Sequence, residues 1–116
     1  MADEIMDIPP KERRLLSVIR KRSPMFVGEF SLDKIECFLR GYKRALLDHD
    51  LDKEFCIIPE EFDDFVLRKY GLYPSSMGWC MAILQNIPDG KEAIEVFFDL
   101  LDEFLETNGF EKIHKI

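Results

Sequence analysis

An all-α fold, a compact single-domain bundle of about five helices, is what three features of this sequence predict. Apolar residues recur every three to four positions in separate stretches, the spacing of one helix face. Pro, Gly, Ser and Asp punctuate the chain between those stretches, at the places where helices start and stop. The 116 residues are the usual size of one domain, and 47% of them are hydrophobic, ten being Phe, which is enough for one core.

Residues 1–8 read as a loose leader and 110–116 as a tail. Pro9-Pro10 opens the first helix, since Pro is tolerated at a helix start. Leu15, Leu16, Val18 and Ile19 supply its apolar face, and Arg13, Arg14, Arg20, Lys21 and Arg22 give it a basic side and end. Ser23-Pro24 stops it, because the residue before Pro is driven out of the helical region. Met25-Phe26-Val27-Gly28 then reads as an apolar linker that tucks two bulky side chains into the core. Ser31 is a good N-cap for the second helix, whose stripe runs Leu32, Ile35, Phe38, Leu39, Tyr42, Ala45, Leu46. Gly41 lies inside that helix at a cost of up to ~1 kcal/mol relative to Ala, which suggests that another backbone approaches closely there.

A polar connection from His49 to Ile58 contains the apolar patch Phe55-Cys56-Ile57-Ile58, a possible short strand. Pro59 starts the third helix. Glu60, Glu61, Asp63 and Asp64 load its first turns with the negative charge the helix dipole favours, Phe62, Phe65, Val66 and Leu67 form its buried side, and Gly71 ends it. Ser75 or Ser76 caps a fourth helix with the stripe Trp79, Cys80, Ile83, Leu84, Ile87, and Pro88 limits its length. Asp89 followed by Glu92 resembles a capping box. The last helix carries Ile94, Phe97, Phe98, Leu101, Phe104 and Leu105 on one side and Glu92, Glu95, Asp99, Asp102, Glu103 and Glu106 on the other, with Asn108-Gly109 at its end.

Composition narrows the function classes. No apolar run approaches the ~20 residues of a membrane span, and the acidic start Met1-Ala2-Asp3-Glu4 is unlike a secretory signal; a cytoplasmic protein without membrane contact is expected. Cys37, Cys56 and Cys80 are odd in number and widely spaced, unlike a disulfide scaffold. Cys37 and Cys80 read as small buried hydrophobes. With no CxxC pair and only His49 and His114 to add, neither a metal site nor a cofactor is expected.

The net charge of −7 is uneven: residues 1–47 hold ten Lys/Arg against seven Asp/Glu, residues 48–116 six against sixteen. The acidic half repels phosphate backbones, so nucleic acid is not the expected partner; the same charge attracts a basic protein. The basic half either docks partly on the acidic half or is solvated. Carboxylate pairs such as Glu60-Glu61 with Asp63-Asp64, or Asp102-Glu103, could serve acid–base chemistry, but that needs one of them held in a pocket. They fall on faces expected to be exposed. Cys80 has no His nearby in sequence, no Gly-x-Ser-x-Gly elbow exists, and His49 at a helix end reads as a cap. No enzyme is expected.

Two resemblances bear on function. Arg20-Lys21-Arg22-Ser23-Pro24-Met25-Phe26-Val27-Gly28 resembles the Arg-Pro-x-Met-Tyr-x-Gly segment of gyrase-type ATPases. The acidic helix, glycine-rich phosphate loops and α/β sandwich of that family are missing, so the likeness is coincidental. A second resemblance rests on an ordered series: residues 20–28, Ser31-Leu32-Asp33-Lys34-Ile35-Glu36-Cys37-Phe38-Leu39-Arg40-Gly41-Tyr42, the run from Phe62 to Gly71, Gly78-Trp79, and the run from Phe97 to Leu105. In this order they resemble small bacterial immunity proteins of polymorphic toxin systems, such as contact-dependent growth inhibition. The likeness spans roughly residues 13–106; Ser23-Pro24 stands where that pattern has Pro-Gly, and residues 55–58 fall outside it.

The resemblance implies an immunity protein that binds a cognate toxin domain, often a basic nuclease, and occludes its active or substrate-binding surface. A monomer or weak dimer is expected. Asp99, Asp102, Glu103 and Glu106, with Glu60, Glu61, Asp63 and Asp64, would then form the toxin-binding surface. The alternative is an acidic helical adaptor for an endogenous basic protein.

Overall fold

A computed structural model describes residues 5–49 and 57–115. Its order is α1 (Pro10–Val27), α2 (Leu32–Asp48), α3 (Glu61–Lys69), α4 (Trp79–Asn86) and α5 (Gly90–Thr107). The described residues form one all-α domain with no strand. Phe55 and Cys56 of the suggested strand lie outside the described residues; Ile57 is buried and Ile58 packs against the core.

The core is built on α5, which packs against each of the other four helices. Phe97, Phe98, Leu101, Phe104 and Leu105 project from one side of it and are buried. Phe62 of α3 is fully buried among aromatic rings: Trp79 at 5.8 Å, Phe97 at 6.0 Å and Phe104 at 5.6 Å between centroids. Trp79 stacks on Phe97 at 4.6 Å. These spacings suit the edge and offset contacts that aromatic quadrupoles favour.

Most helix ends follow from adjacent residues. Ser31 Oγ accepts the Lys34 amide at 3.2 Å, and the Asp89 carboxylate accepts the Glu92 amide at 2.9 Å. Gly71 and Gly109 adopt positive φ, and Leu72 and Phe110 then donate to the carbonyls of Leu67 and Leu105, each at 2.8 Å, closing α3 and α5 in the Schellman manner. His49 is the C-cap of α2.

Several expectations need correction. Ser23-Pro24 does not end α1. The break falls at Arg22 (φ −137°, ψ 46°), and the chain resumes a helical turn that Gly28 closes at φ 84°. Breaking two residues early lets Pro24 stand at the start of the new turn, where its missing amide is not needed. Within the expected linker, Phe26 packs edge-on to Phe38 at 5.6 Å, but Met25 is 72% exposed. Cys37 is exposed, because it lies across α2 from Ile35 and Leu39; Cys80 is buried.

Neither Ser75 nor Ser76 caps α4. Its N-cap is Gly78, and the carboxylate of Asp63 reaches over from α3 to accept the Trp79 amide at 2.8 Å. The leader is anchored from residue 5 onward, with Ile8 buried. The tail is clamped as well: Ile113 is buried, and Arg13 donates to the carbonyls of Glu111 (2.9 Å), Lys112 (3.3 Å) and, through Nε, Ile8 (3.1 Å).

The close backbone approach expected at Gly41 occurs at Gly90 instead. A Cβ on Gly41 would meet nothing within 4 Å, whereas one on Gly90 would sit 2.0 Å from the Phe30 carbonyl oxygen. Gly41→Ala should therefore stabilise the protein by up to about 1 kcal/mol, while Gly90→Ala should destabilise it by forcing α5 away from the 28–31 loop. Urea unfolding of the two variants should show midpoints displaced in opposite directions.

Candidate protein-binding surface

The acidic side chains singled out in the sequence occupy two grooves. Glu60, Glu61, Asp63 and Asp64 line one of about 410 Å³ between the start of α3 and the 75–78 loop, with Met77 supplying apolar surface and the buried Leu67 beneath. Asp99, Asp102, Glu103 and Glu106 line another of about 540 Å³ between α5 and the clamped C-terminal segment. The fold thus brings each set of four together and keeps the two sets in different grooves.

The grooves differ in charge balance. In the α5 groove most carboxylates have a cation. Asp102 is buried, with Arg20 Nη1 at 2.8 Å, and accepts the Ile113 amide at 2.8 Å. Asp99 lies 3.6 Å from Arg20, Glu103 lies 2.6 Å from Lys69, and Glu106 lies 3.6 Å from Lys112. Asp102 thereby holds the C-terminal segment against α1 and α5.

In the α3 groove Glu60, Glu61 and Asp64 are exposed, and none forms an ion pair among the described residues. They face the positive end of the α3 dipole, which offsets part of their mutual repulsion. Asp63 is turned inward. Burial pushes its carboxyl above the usual range, the Trp79 amide opposes that shift, and the charges of Asp64 and Glu60 add to it. Asp63 is held by its capping bond, so the side chains offered outward from this groove are Glu60, Glu61 and Asp64.

A third cluster escaped the sequence reading. Asp33 and Glu36 of α2 and Cys80 of α4 bring two carboxylates and a thiol together, with the candidate ligand atoms all within 4.8 Å of one another. Burial pushes the Cys80 thiol up to about 12, with Glu36 and Asp33 adding to the shift. No local signal marks this group, because Cys80 is remote in sequence and meets the other two only through the packing of α4 on α2.

No described helix is long and apolar enough to cross a membrane. Comparison with protein-family models, curated proteins and solved structures finds no match to the chain.

Proposed function

We propose that the protein is an immunity-type inhibitor that binds a basic toxin domain and occludes its active or substrate-binding surface. The observation that carries this reading is the α3 groove, where Glu60, Glu61 and Asp64 stand exposed without a counter-cation among the described residues. A basic partner gains three charge contacts there without first breaking an ion pair among the described residues. If that partner is a nuclease, the same carboxylates occupy the places its Lys and Arg offer to phosphates. Met77 adds apolar area to the contact. Asp99, Glu103 and Glu106 extend the negative field from the second groove, partly neutralised by Arg20, Lys69 and Lys112.

The reading expects a toxin domain encoded beside this gene, and co-expression with that domain tests it. A stable complex and survival of the expressing cells are expected. Absence of both complex and protection would sink the immunity proposal and leave an adaptor for an endogenous basic protein.

A further inference from the structure

We propose that Asp33, Glu36 and Cys80 form a three-ligand site for one zinc-type divalent ion, with a fourth position open to water or to a ligand from a bound protein. Asp33 and Glu36 are three residues apart on α2, so both carboxylates project from one face. Cys80, in the first turn of α4, meets them from the facing helix; the donor atoms lie within 4.8 Å of one another. The buried Cys80 thiol is a second observation beside the paired carboxylates. Cys80 is only 8% exposed, its thiol makes no hydrogen bond among the described residues, and it faces two carboxylates. An apolar packing role does not call for two acids at the sulfur, whereas a cation answers all three groups at once.

Metal–sulfur and metal–oxygen distances of about 2.3 and 2.0–2.2 Å place tetrahedral ligands about 3.3–3.8 Å apart. Asp33 is exposed and Glu36 half-buried, so side-chain rotation closes the gap without moving the backbone. Glu36 gives up its 2.5 Å contact with Arg40, whose side chain is 70% exposed and keeps a second partner in Cys37 Sγ at 3.5 Å. A sulfur ligand and only two carboxylates select zinc, cobalt or cadmium over magnesium and calcium, which require more oxygen ligands. On binding, the Cys80 S–H bond breaks, its proton passes to solvent and the sulfur lone pair forms the metal bond. Affinity therefore rises with pH, in the field of Asp33, Glu36, Cys37 and Arg40. The inference is independent of the toxin-binding proposal.

The test uses the full chain, reduced and stripped with a chelator, titrated with Co²⁺ while thiolate-to-cobalt charge transfer is followed in the near ultraviolet. One equivalent should bind and Zn²⁺ should displace it. The band should persist in Cys37→Ser and Cys56→Ser and vanish in Cys80→Ser. Asp33→Asn with Glu36→Gln, near-isosteric changes outside the hydrophobic core, should weaken Co²⁺ binding by about 10–100-fold or more. Absence of the band in the wild type, its survival in Cys80→Ser, or unchanged affinity in the double variant would each overturn the site. Should Cys80→Ser not fold, the double variant decides.

Discussion

Asp102→Ala should cost about 3–5 kcal/mol of stability, the range for breaking a buried ion pair on one side. Asp102 and Arg20 have side chains 10% and 13% exposed, and their contact is 2.8 Å. The substitution leaves the Arg20 guanidinium, which lies 5.3 Å from the centre of the Phe98 ring, without its main counter-charge. It also leaves the Ile113 amide without its acceptor. The C-terminal segment should detach before the helices unfold, so amide exchange at Ile113 should accelerate more than exchange in α5. Urea unfolding measures the global loss; a change below about 1 kcal/mol would show that this contact is not a buried anchor. Removing both charges with Arg20→Met and Asp102→Leu should be less damaging than either single change, because neither charge is then stranded.

Phe62→Ala should cost a similar amount, about 3–5 kcal/mol. Phe62 is fully buried and makes ring contacts with residues of α3, α4 and α5, so its removal opens a cavity where three helices meet. A domain has only about 5–15 kcal/mol of net stability, so this variant should be close to unfolding. Trp79 is the single tryptophan and lies against Phe62. Its fluorescence should report both the shift in midpoint and a wetter indole in the folded state. Phe62→Leu, which keeps more of the volume, should retain a cooperative transition at higher urea.

The parts of the fold legible in the sequence are those set by near neighbours. Ser31 caps α2 through Lys34, Asp89 caps α5 through Glu92, and Gly71 and Gly109 close their helices through residues a few positions back. The apolar stripes of α3 and α5 found the core for the same reason. What escaped is set by partners remote in sequence. Asp63 caps α4 from another helix, so the serines beside α4 were the wrong place to look. Gly90 is required by the Phe30 carbonyl, whereas Gly41, conspicuous inside its helix, faces open space.

Asp102 carried a signal that charge alone obscured. It lies four residues after Phe98 and three before Leu105, within the buried side of α5, whereas Asp99 is 73% exposed. The candidate surface was legible as a concentration of acids. Its division into a groove of paired acids and one whose exposed acids have no ion pair among the described residues was not, because Lys69, Lys112 and Arg20 reach the α5 carboxylates only in the folded chain. The Asp33–Glu36–Cys80 cluster was hidden for a related reason, its donors coming from two helices that meet only after folding.

The central claim is that Glu60, Glu61 and Asp64, which form no ion pair among the described residues, draw in a basic protein partner. The association rate with the toxin domain that the proposal expects beside this gene, measured by stopped flow across ionic strength, tests it most directly. The wild-type rate should fall steeply with added salt. Glu60→Lys with Glu61→Lys and Asp64→Lys should slow association by about tenfold or more at low salt, and the two proteins should converge at high salt. Equal rates at every ionic strength would contradict the claim.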